Sequence, residues 1–263
     1  MGAYRPDRRH RGRLIAATRH SDGSFFGRSK GKTLRPAQRR TLESRLPDLL
    51  LDLTRPPPER LAALFPSAVG PVVLEIGFGG GERLLDEARA SPGTGFIGVE
   101  PFQNGMAKAV AAIDREALTN VRLFDRDAVH LLDWLPPGAL SRIDLLYPDP
   151  WPKPHHWRRR FVQAANLDRV ARCLAPDGLF RFASDVDAYV KWTLRKVEAS
   201  GSLEWVERDL ERCRCAWPDW PGTRYEAKAF REGRRPAYLT FRRAVIGRPV
   251  REDLAQAQSD RAS

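Results

Sequence analysis

The chain of 263 residues is long enough for one large α/β domain with appendages, and its 42% hydrophobic content excludes a wholly disordered protein. Of its net charge of +12, a surplus of ten sits in residues 1–45, where thirteen Arg or Lys face only Asp7, Asp22 and Glu43; a basic arm on a nearly neutral body is the footprint of a polyanion binder, the plain alternative being a solvated tail. Three cysteines (Cys173, Cys213, Cys215) are too few for a disulfide framework and too isolated for a zinc site, and no 18-residue apolar run or secretory leader is present, so a cytoplasmic protein without metal or membrane span is expected.

Residues 1–24 are rich in Arg, Gly, Ser and His and predict a disordered basic arm. Phe25 and Phe26 then precede a Gly/Lys/Arg turn over 27–32, suited to phosphate contacts, although the two rings could equally anchor the arm. A short helix is expected over 36–46 and a stiff linker at Pro56-Pro57-Pro58. From residue 71 strand and helix alternate. Strands are predicted over 72–76, 96–100, 121–124, 143–147 and 179–183, with further strands near 203–208 and 237–242. Helices are predicted over 82–90, through Met106, Val110, Ile113 and Leu118, from Phe161 to Leu174, and over 187–199. The resulting organisation is a basic arm (1–24), an N-terminal segment with RNA contacts (25–58), a main domain (59–246) and a flexible tail (247–263).

Strand–helix alternation of this kind means βαβ units and a mostly parallel sheet with helices on both faces. Ligands of such sheets bind beyond the carboxyl ends of the strands. Glu75, Glu100, Asp127 and Asp149 each fall at or just past a predicted strand end.

The loop Gly77-Phe78-Gly79-Gly80-Gly81 follows the first strand and opens a helix, where Gly77 and Gly79 permit a tight turn and close ligand approach. Position 82 is Glu, so the dinucleotide pattern fails, and no Gly-Lys-Ser/Thr makes a phosphate cradle. Glu75 ahead of the loop would repel a pyrophosphate but suits S-adenosylmethionine, which carries an ammonium and a sulfonium. Glu100, about 20 residues on, can accept ribose hydroxyls. Asp127 can take the adenine amino group or cap a helix, with Asp125 as the rival ligand.

Tyr147-Pro148-Asp149-Pro150-Trp151-Pro152-Lys153-Pro154 holds four prolines in eight residues, a rigid loop that suits a site holding a base near a methyl group. Trp151 could stack a base or pack the loop. Lys153, His155, His156 and Arg158–Arg160 form a basic cluster expected at a helix start, where cations oppose the helix dipole and phosphate binding is favoured. The Asp/Asn-Pro-Pro-aromatic loop of amino-methylating enzymes differs, because Trp stands at its third position here.

With these residues in view, the sequence resembles the bacterial tRNA (guanine-N7-)-methyltransferase family. The matching pieces are Leu74-Glu75-Ile76-Gly77-Phe78-Gly79, Gly98-Val99-Glu100, Pro148-Asp149-Pro150-Trp151-Pro152-Lys153, Ala183-Ser184-Asp185, and Gly222-Thr223-Arg224-Tyr225-Glu226, within residues 25–243. The resemblance implies a Rossmann-like class I fold that binds S-adenosylmethionine through Glu75, Glu100, Asp127 and Asp149. It makes Asp149 the catalytic carboxylate and assigns Lys153, Asp185, Thr223, Arg224, Tyr225 and Glu226 to substrate RNA. The implied substrate is guanine 46 in the tRNA variable loop. A monomer or weak homodimer is expected. Arg224 stands where Lys is common in the family, and the stretch 213–221 is not matched to it.

Overall fold

The computed structural model describes residues 26–27, 29–218 and 220–244. The expected arm (1–24) and tail (247–263) lie outside these residues.

Helix α1 (Pro36–Leu49) opens with proline at its first position, where the missing N–H is not needed. It runs three residues beyond the expected end, through Pro47, because Leu42, Leu46 and Leu49 are buried together along one face. The sheet then builds from β1 (Val72–Ile76), β2 (Gly95–Val99), β3 (Val121–Phe124), β4 (Leu140–Leu146), β5 (Leu174–Ser184), β6 (Leu203–Trp205) and β7 (Ala237–Arg243). Its order is β3-β2-β1-β4-β5-β7-β6. Strands β1 to β5 pair in parallel, and β7 runs antiparallel between β5 and β6. This is the class I methyltransferase arrangement of the Rossmann-like fold, with its switch point between β1 and β4.

Connecting helices are α2 (Glu82–Ala90), α3 (Gln103–Glu116), α4 (Ala128–Trp134), α5 (Ala164–Cys173) and α6 (Asp187–Ser200), with α7 (Arg224–Arg231) before the last strand. Strand residues alternate between two apolar cores. Val73, Phe96, Val121 and Leu123 pack with α1, α2 and α3. Leu74, Ile76, Ile97, Val99 and Ile143 pack with α4, α5 and α6. Burial on both faces explains why the strands read as continuous apolar runs.

Three expectations are corrected. The helix expected from Phe161 begins at Ala164, and the preceding basic cluster forms a 3-10 turn, Pro154–Arg159. Prolines at 150, 152 and 154 hold this segment out of α-helix, so its cations do not face an α-helix N-terminus. The residues Pro176-Asp177-Gly178 lie inside β5, which already starts at Leu174; the pairing with β4 shifts register between Leu140 and Arg142 to absorb them. Strand β6 covers only three residues, not six.

Candidate methyl-transfer site

The glycine loop turns on three left-handed residues, Gly77, Gly79 and Gly81, with φ of 76°, 62° and 81°. Gly77 N–H donates to the Val99 carbonyl at 2.8 Å, which closes the loop against β2. Glu100 holds it from the other side: one carboxylate oxygen accepts from Gly79 N–H at 2.7 Å and the other from Phe102 N–H at 2.9 Å. Helix α3 crosses tightly at Gly105, where a Cβ would lie 2.0 Å from the Gly79 carbonyl oxygen. Gly105→Ala should therefore push α3 off the loop and destabilise the protein by about 1–3 kcal/mol. An unchanged thermal midpoint would show that the contact relaxes freely.

Beside the loop lies a cavity of about 490 Å³, lined by Glu75, Gly77, Phe78, Glu82, Arg83, Asp86, Tyr147, Thr223–Glu226 and Phe230. Glu75, from the end of β1, is buried and accepts a hydrogen bond from Arg83 at 3.0 Å. Burial outweighs that guanidinium and pushes the Glu75 carboxyl up to about 7. Arg83 also pairs with Glu87 at 2.6 Å and with Asp144 at 2.9 Å. Arg142 joins from β4, bonding Asp144 at 2.9 Å and Glu87. Apart from Glu75, no sequence motif points to the members of this network, which lie on β1, α2 and β4.

Thr223 and Glu226 form a capping box at the start of α7. The Thr223 hydroxyl accepts from Glu226 N–H at 3.1 Å, and Glu226 accepts from Thr223 N–H at 3.1 Å. The same buried carboxylate accepts from the Trp220 indole at 2.8 Å and from the Tyr238 hydroxyl. Trp217, Trp220 and Tyr238 pack edge to face around it. Trp217 and Trp220 belong to the unmatched stretch and Tyr238 to β7, and no sequence motif points to any of the three.

The strand-four loop is strained at two places. Tyr147 and Trp151 have φ of 49° and 43°, each costing of order 1–3 kcal/mol for a residue with a side chain. Arg160 braces this loop. Its guanidinium donates to the Pro150 carbonyl at 2.8 Å and lies within 5.1 Å of the ring centroids of Trp157, Tyr189 and Trp192. At 1% exposure Arg160 cannot reach RNA, which corrects its grouping with the phosphate-facing cations. Arg159 instead contacts the rings of Trp151 (4.9 Å) and Phe26 (5.7 Å). Lys153 and Arg158 are exposed.

The remaining expected residues are spread around the same edge of the sheet. Asp149 is exposed beyond β4, and its charge helps to raise the proton affinity of Glu100, although burial is the larger cause. Asp127 caps α4, its carboxylate accepting from Val129 N–H at 2.9 Å. Asp125 is half-buried, and burial lifts its proton affinity. Asp185 pairs with Arg234 at 2.7 Å. The cavity itself gathers Glu75, Gly77 and Thr223–Glu226; Gly79, Glu100, Asp127, Asp149, Lys153 and Asp185 are not among its lining residues.

Residues 69–238 match the model of a family described as "Putative methyltransferase". A tRNA (guanine-N(7)-)-methyltransferase of Chelativorans sp. (strain BNC1) is 59% identical over 228 residues, covering 86% of this chain and 98% of the relative. The chain belongs to the tRNA (guanine-N7-)-methyltransferase family. A second member, from Rhizobium johnstonii, is 54% identical over 237 residues, covering 90% of this chain and 99% of the relative. Among solved structures, the 16S rRNA methyltransferase KamB aligns with a TM-score of 0.51 at 18% identity, over 73% of this chain and 96% of that one; this likeness concerns the fold alone. Among the described residues no helix is long and apolar enough to cross a membrane.

Proposed function

We propose that this chain transfers a methyl group from S-adenosylmethionine to N7 of guanine 46 in the variable loop of tRNA. The observation that carries the reading is the 54–59% identity, over nearly the whole length of each relative, with proteins named tRNA (guanine-N(7)-)-methyltransferase. The glycine loop fits the cofactor: above Gly77 a Cβ would meet nothing within 4 Å, so there is open room beside two buried carboxylates, Glu75 and Glu100. When bound, the cofactor supplies an electrophilic methyl group on a sulfonium. In this reading Glu75 holds its ammonium, Glu100 its ribose hydroxyls and Asp127 its adenine amino group, while Gly77 and Gly79 admit it to the backbone.

Guanine N7 carries an in-plane lone pair and needs no general base. The protein's task is alignment at a near-attack distance of about 3–3.5 Å. Asp149 holds the base and offsets the positive charge that develops on it. Lys153, Asp185, Thr223 and Tyr225 contact the RNA. Glu226 has three donors already and about four acceptor positions, so one position remains for the guanine N1–H or N2–H₂ edge, which adenine lacks. The basic arm adds salt-dependent affinity. The enzyme acts in the cytoplasm as a monomer or weak homodimer. A tRNA carrying 7-deazaguanine at position 46 should bind normally and accept no methyl group; methylation of that tRNA would refute N7 of guanine 46 as the target.

Cofactor affinity should depend on pH through Glu75. An ordinary Glu carboxyl ionises near 4.5, and burial raises this one to about 7. The folded state therefore holds this proton over that window, and the stability it confers falls away as pH rises through 7. The cofactor ammonium needs the ionised form. Affinity for S-adenosylhomocysteine should thus rise about tenfold between pH 6 and 8, and Glu75→Gln should bind weakly with a flat profile. Calorimetric titration at both pH values checks this.

A further inference from the structure

Six charged side chains line the cavity: the carboxylates Glu75, Glu82, Asp86 and Glu226, and the cations Arg83 and Arg224. Arg83 is committed to Glu75, Glu87 and Asp144. Arg224 makes no ion pair among the described residues. Its guanidinium lies over the Tyr225 ring at 4.9 Å and donates to that residue's hydroxyl at 3.1 Å. This posture turns it inward across the glycine loop, where Nη2 comes within 3.2 Å of the position that a Cβ on Gly79 would take.

S-Adenosylmethionine brings one anionic group, its α-carboxylate, into a cavity that is otherwise rich in carboxylates. An anion there needs a cation that is not already neutralised. A guanidinium can bind a carboxylate through two parallel N–H···O bonds. We propose that Arg224 is the receptor for the α-carboxylate of the cofactor, rather than a contact to RNA. The residue reaches the cofactor from the helix that also carries Tyr225 and Glu226, so one short segment meets donor and acceptor. The inference rests on the S-adenosylmethionine reading of the cavity.

The test compares binding of S-adenosylmethionine with that of its decarboxylated analogue, by calorimetry in the absence of tRNA, for the wild type, Arg224→Gln and Arg224→Lys. Arg224 is exposed, and matching thermal midpoints will confirm that the variants fold. The wild type should prefer the carboxylate-bearing cofactor by about ten- to a hundredfold, the range for a charge-assisted hydrogen-bonded pair. Arg224→Gln should lose that preference while binding the analogue as the wild type does, and Arg224→Lys should keep part of it. A full preference in Arg224→Gln, with only tRNA affinity reduced, would overturn the inference and return Arg224 to the RNA. A wild type that binds both compounds alike overturns it while leaving the cofactor reading intact; one that binds neither overturns both.

Discussion

Asp149→Asn should lower kcat by about 10²–10³-fold, the usual scale for removing one preorganised charge-stabilising group, while tRNA affinity changes little. Asn keeps the shape and a hydrogen-bonding oxygen but loses the charge. The loss should therefore appear in turnover, where positive charge develops on the base, and less in ground-state binding. The scaffold supports this reading. Asp149 stands between Pro148 and Pro150, in a loop strained at Tyr147 and Trp151 and braced from within by Arg160. Such rigidity is useful only to a group that must be held in place. Near-normal turnover of Asp149→Asn at saturating cofactor and tRNA would remove the electrostatic role.

The largest effect on stability is expected at Arg83. Its side chain is 4% exposed and joins Glu75, Glu87 and Asp144, of which Asp144 is fully buried. Arg83→Met keeps much of the volume and leaves the carboxylates without this cation. Removing one partner from a buried ionic group costs about 3–5 kcal/mol. Glu75, already raised by burial and then free of the guanidinium that lowers it, would recover part of that by keeping its proton to higher pH, which the unfolded chain does not do near neutrality. The variant should therefore gain stability, relative to wild type, as pH falls from 8 to 5.5. Urea unfolding at the two pH values measures both claims. A loss under 1 kcal/mol at pH 8 would mean that Arg142 alone neutralises the cluster.

Much of this was legible in the sequence, because the signals were local. The glycine loop, helix α2 and strands β1 and β3 follow from turn chemistry and from apolar runs buried on both faces. The capping box at Thr223 and Glu226 is also legible as Thr-x-x-Glu, but α7 is only eight residues long and mostly polar, so no apolar periodicity marks it as a helix. The Arg83 network could not be read, since its partners meet only when β4 lies beside β1. Arg160 misled for a related reason. In a run of three arginines it looks solvated, and only the rings of Trp157, Tyr189 and Trp192, drawn from two elements, make a burial site for it.

Guanine N7 methylation is tested most directly by incubating the protein with an unmodified tRNA transcript and methyl-labelled S-adenosylmethionine, then mapping the label. One methyl group per tRNA is expected, on N7 of guanine 46. Label on any other atom or nucleotide would contradict it, and no label at all would contradict the transfer itself.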